Sequence, residues 1–176
     1  MNTKIMSPRF LVLCGLVAAA AFTRFIPHLP NFTAIGAMAL FGGAYFTNKK
    51  LAFAVPLIAM FLTDLVLGFH STIAAVYISF ALMVVLGMLV IKKKNVFSIF
   101  TASVAATVLF FIITNFAFWS TGVLYPMTFT GLTECYTAAL PFFGYNLAGN
   151  LFYSGVMFGL FELAKSKFPA LIPVKA

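Results

Sequence analysis

The stretch TAIGAMALFGGAYF, residues 33–46, decides the fold class of this chain. It carries no charged residue, and Gly36, Ala39 and Gly43 recur at i, i+3 and i+7, which places them near one face of a helix. At 1.5 Å per residue, the segment is short for about 30 Å of membrane hydrocarbon. Small residues let membrane helices approach each other closely. The pattern therefore predicts a short helix that is buried or tilted inside a bundle of membrane helices.

Apolar stretches continue on both sides of this segment. The predicted spans are 10–26, 33–46, 51–68, 72–91, 96–118 and 138–163. The chain is 63% hydrophobic and 8% charged, whereas a soluble domain contains roughly 25% charged residues. The period-two alternation of an outer-membrane barrel is absent. The sequence therefore predicts one all-α membrane domain over residues 1–176, with six transmembrane helices.

The basic residues fall almost entirely on one side of this six-span topology. Ten of the eleven Lys and Arg residues precede span one, follow spans two and four, or follow span six: Lys4, Arg9, Lys49, Lys50, Lys92, Lys93, Lys94, Lys165, Lys167 and Lys175. Because basic loops stay in the cytoplasm, we predict cytoplasmic termini and a location in the bacterial cytoplasmic (inner) membrane. The net charge of +8 is then explained by basic loops that contact anionic lipid head groups, and it does not indicate nucleic-acid binding.

The first span also has the features of a signal peptide. Lys4 and Arg9 form a basic start, and residues 18–21 form a small-residue cleavage region. Cleavage would remove span one and leave the remaining topology unchanged, so both interpretations stay open.

Arg24 and Asp64 lie within about one helical turn of the outer ends of spans one and three, at matching depth. A lone charge in hydrocarbon costs several kcal/mol, and a helix C-terminus disfavours the Asp64 carboxylate. We therefore expect Arg24 and Asp64 to pair. The pair is either a structural link between the two spans or a contact for a solute; side chains that merely snorkel to the interface are the third possibility.

Amide and aromatic side chains collect toward the same outer half. Asn146 and Asn150 are four residues apart, so they share one face of span six, and Asn115 can reach that side from span five. Such amides serve either as interhelical contacts or as the lining of a pocket. The segment 120–137 is predicted to be an outer loop or a short interfacial helix. The candidate ligand-binding residues are Arg24, His28, Asn31, Asp64, Asn115, Trp119, Glu134, Tyr136, Asn146 and Asn150.

Motifs for catalysis do not appear in the sequence. A nucleophile elbow and a Gly-rich phosphate loop are both missing, so we expect no enzyme activity, no cofactor, no metal and no ATPase site. One alternative is a membrane enzyme or metal-binding protein that uses His28, His70, Asp64 and Glu134 and brings the two histidines together. Another is an oligomeric channel or scaffold, which would show a continuous polar path or a large interface between subunits.

Two stretches carry a family resemblance: PNFTAIGAMALFGGA at residues 30–44 and LTDLVLG at residues 62–68. They resemble an uncharacterised family of small bacterial six-helix membrane proteins, which is similar to the substrate-binding S components of energy-coupling factor (ECF) vitamin transporters. The resemblance implies a subunit that binds a vitamin-like solute from outside and docks on a transmembrane coupling subunit with two ATPases. It implies docking through small residues of helix one, here Gly15, Ala18 and Ala19. Arg24 with His28 would suit a solute that carries a carboxylate or phosphate.

Overall fold

The computed structural model describes residues 7–172, which form a helical bundle. Its α-helices are α1 Pro8–Phe22, α2 Ile35–Tyr45, α3 Lys49–Leu67, α4 Ile73–Val90, α5 Val96–Trp119 and α6 Phe129–Lys167. Short 3-10 helices follow α1, at Thr23–Phe25, and α6, at Pro169–Leu171. The prediction of an all-α chain is confirmed. Lys4 and Lys175, which belong to the predicted charge pattern, lie outside the described residues.

Within the described range, five helical stretches are long and apolar enough to cross a membrane: Pro8–Phe25, Lys49–Leu67, Ile73–Val90, Val96–Trp119 and Phe129–Lys167. Large apolar side chains are exposed around the bundle, among them Phe22 at 67% and Val66 at 73%. A water-soluble protein rarely exposes so much contiguous apolar surface, whereas lipid tails cover it at no cost. The chain is therefore an integral membrane protein.

The short helix α2 lies at the centre of the bundle. It contacts each of the other five helices, and residues 37–43 are buried. Its closest neighbour is α4: a Cβ atom on Gly43 would collide with the carbonyl oxygen of Val84, and one on Gly87 with the carbonyl oxygen of Leu40. Small residues thus bring two helix backbones into direct contact. The predicted burial of this segment is confirmed.

The last helix is longer than the sequence predicted. α6 begins at Phe129 instead of residue 138, because the Thr128 hydroxyl accepts a hydrogen bond from the Gly131 amide at 3.1 Å and caps the first turn. Pro141 lies inside α6 without ending it; membrane helices tolerate proline because neighbouring groups satisfy the freed carbonyl. The loop between α5 and α6 therefore covers residues 120–128, and α6 is roughly 58 Å long, well beyond the hydrocarbon thickness.

Polar side chains cluster at two opposite ends of the bundle. The first cluster, here called the basic end, contains Arg9, Tyr45, Lys94, Glu162 and Lys165. Tyr45 OH donates to Glu162 Oε1 at 2.6 Å, and Lys165 Nζ lies 2.5 Å from Glu162 Oε2. The second cluster, here called the Arg24 end, lies where α1, α3 and α5 finish and α4 and α6 start.

Candidate ligand cavity

A cavity of about 360 Å³ lies at the Arg24 end. Its walls come from the turn after α1 and from all five later helices. The polar lining residues are Arg24, Asn31, Asp64, His70, Thr72, Thr114, Asn115 and Asn146. The aromatic lining residues are Phe110, Phe111, Phe118, Phe142 and Phe143. The volume and the mixture of aromatic walls with a few polar groups are typical of a small-molecule site.

An ion pair forms one wall of this cavity. Arg24 Nη2 lies 2.6 Å from Asp64 Oδ1, and the two side chains are only 13% and 6% exposed. Arg24 Nη1 also donates to Thr63 Oγ1, and to the Met60 carbonyl oxygen at 3.3 Å. Arg24 and Asp64 thus form the pair that their matching depths predicted. The pair links the end of α1 to the last turns of α3 and at the same time faces the cavity.

Tyr77 binds the Asp64 carboxylate of this ion pair, and the sequence analysis did not single it out. Its hydroxyl donates to Asp64 Oδ2 at 2.7 Å from the start of α4. Each oxygen of the Asp64 carboxylate therefore has a partner, which a buried carboxylate requires. The available signal was a tyrosine in an otherwise apolar span, because a tyrosine hydroxyl in such a span needs a hydrogen-bond partner.

Asn115, Asn146 and Asn31 bring amide groups to the cavity from three different segments. Asn115 Nδ2 donates to the Phe111 carbonyl oxygen of its own helix at 2.8 Å. Asn31 lies in the loop before α2 with a φ of 61°, a left-handed conformation that asparagine tolerates better than most residues. The predicted set Arg24, Asn31, Asp64, Asn115 and Asn146 therefore meets at one cavity.

Asn150 lies one helical turn deeper than Asn146 and is 2% exposed. Its Nδ2 atom donates to the Ser103 carbonyl oxygen at 3.0 Å and to Thr107 Oγ1 at 3.1 Å, both on α5. A Cβ atom on Gly36 would lie 2.8 Å from the amide nitrogen and oxygen of Asn150, so α2 approaches this amide as closely as glycine permits. Asn150 is thus an interhelical contact, and it also lines a small void next to the cavity.

Besides Asn150, four of the predicted ligand-binding residues do not line the cavity. His28 and Glu134 are exposed, and His28 Nδ1 lies 2.9 Å from the Leu29 carbonyl oxygen. Trp119 Nε1 donates to the Pro126 carbonyl oxygen at 3.0 Å, and Tyr136 OH donates to the Ile112 carbonyl oxygen at 2.6 Å. Both aromatic residues therefore bind the loop or the neighbouring helix. Phenylalanines of α5 and α6, which the sequence did not single out, form the aromatic walls instead.

Of the residues proposed for an enzyme or metal site, Asp64 and His70 line the cavity, whereas His28 and Glu134 do not. Across residues 7–172, no group of three or more His, Cys, Asp or Glu side chains is placed to hold a metal ion. His70 lines the cavity and its Nδ1 atom lies 3.1 Å from Thr72 Oγ1, whereas His28 lies in the loop after α1.

The small residues suggested for partner docking lie on the outside of the bundle. Gly15, Ala18 and Ala19 of α1 are exposed, and a Cβ atom on Gly15 would meet nothing within 4 Å. Ala18 also borders an apolar groove of about 430 Å³ between α1 and α3. This face of α1 is therefore available to another helix or to lipid.

Comparison with known proteins identifies a family. No curated protein and no solved structure matches the chain. A family model described as a family of unknown function, DUF6580, matches residues 4–171, which include every helix and every residue of the cavity. The chain therefore belongs to the DUF6580 family.

Proposed function

We propose that this chain is the solute-binding subunit of an uptake system in the bacterial cytoplasmic membrane, similar to an ECF S component. The observation that carries the proposal is the cavity of about 360 Å³ at the Arg24 end, walled by a buried ion pair, asparagines and phenylalanines. Buried polar groups are costly in a membrane, so their collection around one space favours a binding role.

The charge pattern indicates to which side of the membrane the cavity opens. Lys49, Lys50, Lys165 and Lys167 lie at the ends of α3 and α6 that are remote from Asp64 and Asn146. Because basic segments stay in the cytoplasm, the cavity opens to the extracytoplasmic side and both termini are cytoplasmic. The sixth transmembrane segment is then α2, which is too short for the bilayer alone but is shielded from lipid by its five neighbours.

Within this proposal the cavity residues have distinct roles. The phenylalanines of α5 and α6 pack against the apolar faces of a vitamin-like solute, and Asn115 and Asn146 fix its polar edges. Arg24 and Asp64 hold α1 and α3 in place beside it. Gly15, Ala18 and Ala19 form the face of α1 that docks on an ATP-driven coupling module, since small residues permit close helix packing. The chain itself catalyses nothing.

Binding is tested by thermal stabilisation of the purified protein with a panel of vitamins. A solute that binds the folded state raises the unfolding temperature in proportion to its concentration over Kd. Two adjacent alanines of α6 provide matched variants, because Ala139 lines the cavity and Ala138 is exposed. Ala139→Phe fills the cavity and abolishes the stabilisation, whereas Ala138→Phe keeps it. Equal binding by both variants would place the site elsewhere.

Orientation is tested by cysteine labelling in intact cells. In a background of Cys14→Ser and Cys135→Ser, Thr121→Cys reacts with an impermeant maleimide added outside. Lys93→Cys reacts only after the cells are opened. The reverse pattern would put the cavity on the cytoplasmic side and remove the basis for uptake from outside.

A further inference from the structure

One hydrogen-bond acceptor in the core of the bundle lacks a protein partner. Asn150 Oδ1 is buried and accepts no hydrogen bond from any residue in the range 7–172. The other half of this amide is fully used, because Nδ2 donates to both Ser103 and Thr107. Rotating the amide would set its oxygen against the Ser103 carbonyl oxygen, so the orientation is fixed. An unpaired buried amide oxygen has lost its hydrogen bonds to water without replacement, and a bound donor would restore one of them.

The unpaired oxygen lies in a residue that adjoins the ligand cavity through a small void. Asn150 lines a small neighbouring void of about 10 Å³ that shares Ile35, Phe110 and Asn146 with the main cavity. A space of this size holds one water-sized group. An N–H or O–H group of a solute lying in the main cavity fits this position, with the rest of the solute beside Asn146.

The charges of the cavity favour a neutral solute. Arg24 and Asp64 are separated by 2.6 Å and are nearly buried, so their charges compensate each other locally. A solute carboxylate or phosphate at Arg24 would face Asp64 across a few ångströms of low dielectric, where repulsion between like charges is strong. The sequence-based expectation of an anionic solute rested on Arg24 with His28, but Arg24 is already paired and His28 lies outside the cavity lining.

The aromatic walls favour a flat solute. Phe111 of α5 and Phe143 of α6 both line the cavity, with ring centroids 5.2 Å apart and planes at 75°. Aromatic rings prefer offset or edge-to-face contacts, which a planar ring can make with both side chains. The walls are therefore suited to an aromatic or heteroaromatic ring, and the polar end of the cavity to its substituent.

We infer that the cavity binds an uncharged planar solute whose innermost group donates a hydrogen bond to Asn150 Oδ1. Aromatic carboxamides and neutral N–H heterocycles belong to this chemical class. The inference rests on the proposed solute-binding function and adds a chemical selection to it. Gly36 takes part as a positioning residue, because only a residue without Cβ leaves the Asn150 amide in place.

The test uses matched probes that differ in a single group. Benzamide, benzoate and methyl benzoate share one ring and present respectively a neutral donor, an anion and a neutral group without a donor. The corresponding naphthalene series extends the test to a larger ring. Binding to the full-length protein in detergent is measured by thermal stabilisation and calorimetry at pH 7. We expect the amide to bind at least tenfold more tightly than the acid and the ester of the same ring, since about 1.4 kcal/mol corresponds to tenfold.

Variants of the acceptor decide whether Asn150 causes this preference. Asn150→Leu removes the oxygen and is expected to bring amide and ester to equal affinity. Gly36→Ala is the second variant, for the case that Asn150→Leu does not fold: the added methyl group displaces the Asn150 amide and reduces the preference. Gly144→Ala is its matched control, because a Cβ there meets nothing within 4 Å, and it keeps the full preference.

The outcomes distinguish a failure of this inference from a failure of the proposed function. Preference for the acids, or an amide preference that survives in Asn150→Leu, overturns the inference and leaves solute binding intact. Binding of a vitamin without binding of any amide probe overturns it as well. If neither the vitamin panel nor the probes bind, both the inference and the proposed function fail.

Discussion

Both ends of the bundle join a tyrosine hydroxyl, a carboxylate and a cation, yet the two groups differ in their surroundings. At the Arg24 end, Tyr77 and Arg24 bind Asp64, whose side chain is 6% exposed. At the basic end, Tyr45 and Lys165 bind Glu162, whose side chain is 36% exposed. The first group also shares one cavity with asparagines, whereas Glu162 borders a largely apolar groove between α5 and α6.

The difference shows how the same chemistry serves two purposes in one membrane protein. A half-exposed pair such as Glu162–Lys165 is screened by water and head groups and contributes little to stability. A buried pair such as Arg24–Asp64 contributes strongly only while both partners are present, because either one alone is an uncompensated charge. Buried polar groups beside an unfilled space are therefore the stronger indication of a site.

The largest expected effect is the loss of Asp64. Asp64→Ala leaves the Arg24 guanidinium buried without its counter-charge and lowers the free energy of unfolding by about 3 kcal/mol. Unfolding in detergent, titrated with dodecyl sulfate, measures this loss. The double variant Arg24→Met, Asp64→Leu removes both charges and is expected to recover most of the stability. A double variant as unstable as Asp64→Ala would show that the helices need the polar contacts themselves.

Two matched tyrosine variants sharpen the comparison further. Tyr77→Phe deprives the Asp64 carboxylate of one donor and lowers the unfolding free energy by about 1.5 kcal/mol, within the range for hydrogen bonds to charged groups. Tyr45→Phe keeps the ring, whose centroid lies 4.5 Å from that of Phe161. The half-exposed Glu162 can replace the lost donor with water, so the expected loss is smaller. The same unfolding titration compares the two variants. A larger loss of unfolding free energy for Tyr45→Phe would indicate that the Glu162 group, and not the Asp64 group, is the more strongly buried one.

Helix positions were largely predictable from the sequence. The apolar stretches located every helix, because a segment that crosses a bilayer must be long and apolar. The small residues of the second span identified the buried helix, because small residues permit close packing of membrane helices. The start of α6 was not predictable in the same way. Pro141 and Gly144 resemble helix breaks in a soluble protein, but they are tolerated in a membrane helix, and the Thr128 cap that starts α6 is weak in an isolated sequence.

The site was only partly predictable, because sequence gives depth along a membrane helix more readily than the direction of a side chain around it. Arg24, Asp64, Asn115 and Asn146 could be grouped by depth alone. Tyr136 also lies in the first half of α6, yet its hydroxyl donates to α5 instead of lining the cavity. α5 and α6 are apolar on most sides, so no polar face indicates their rotation. For the same reason, the sequence does not show which of the 23 phenylalanines line the cavity.

The smallest expected effect is the loss of the carboxylate at the basic end. Glu162→Gln keeps an acceptor for the Tyr45 hydroxyl and removes only the charge that pairs with Lys165 at 2.5 Å. Exposed pairs of this kind contribute about 0.2–1 kcal/mol, so the unfolding free energy falls by less than 1 kcal/mol. High salt screens exposed charges and is expected to erase this difference, while it leaves most of the Asp64→Ala effect unchanged. A salt-independent loss of several kcal/mol in Glu162→Gln would mean that the basic end is as dry as the Arg24 end, and the contrast that singles out the cavity would no longer hold.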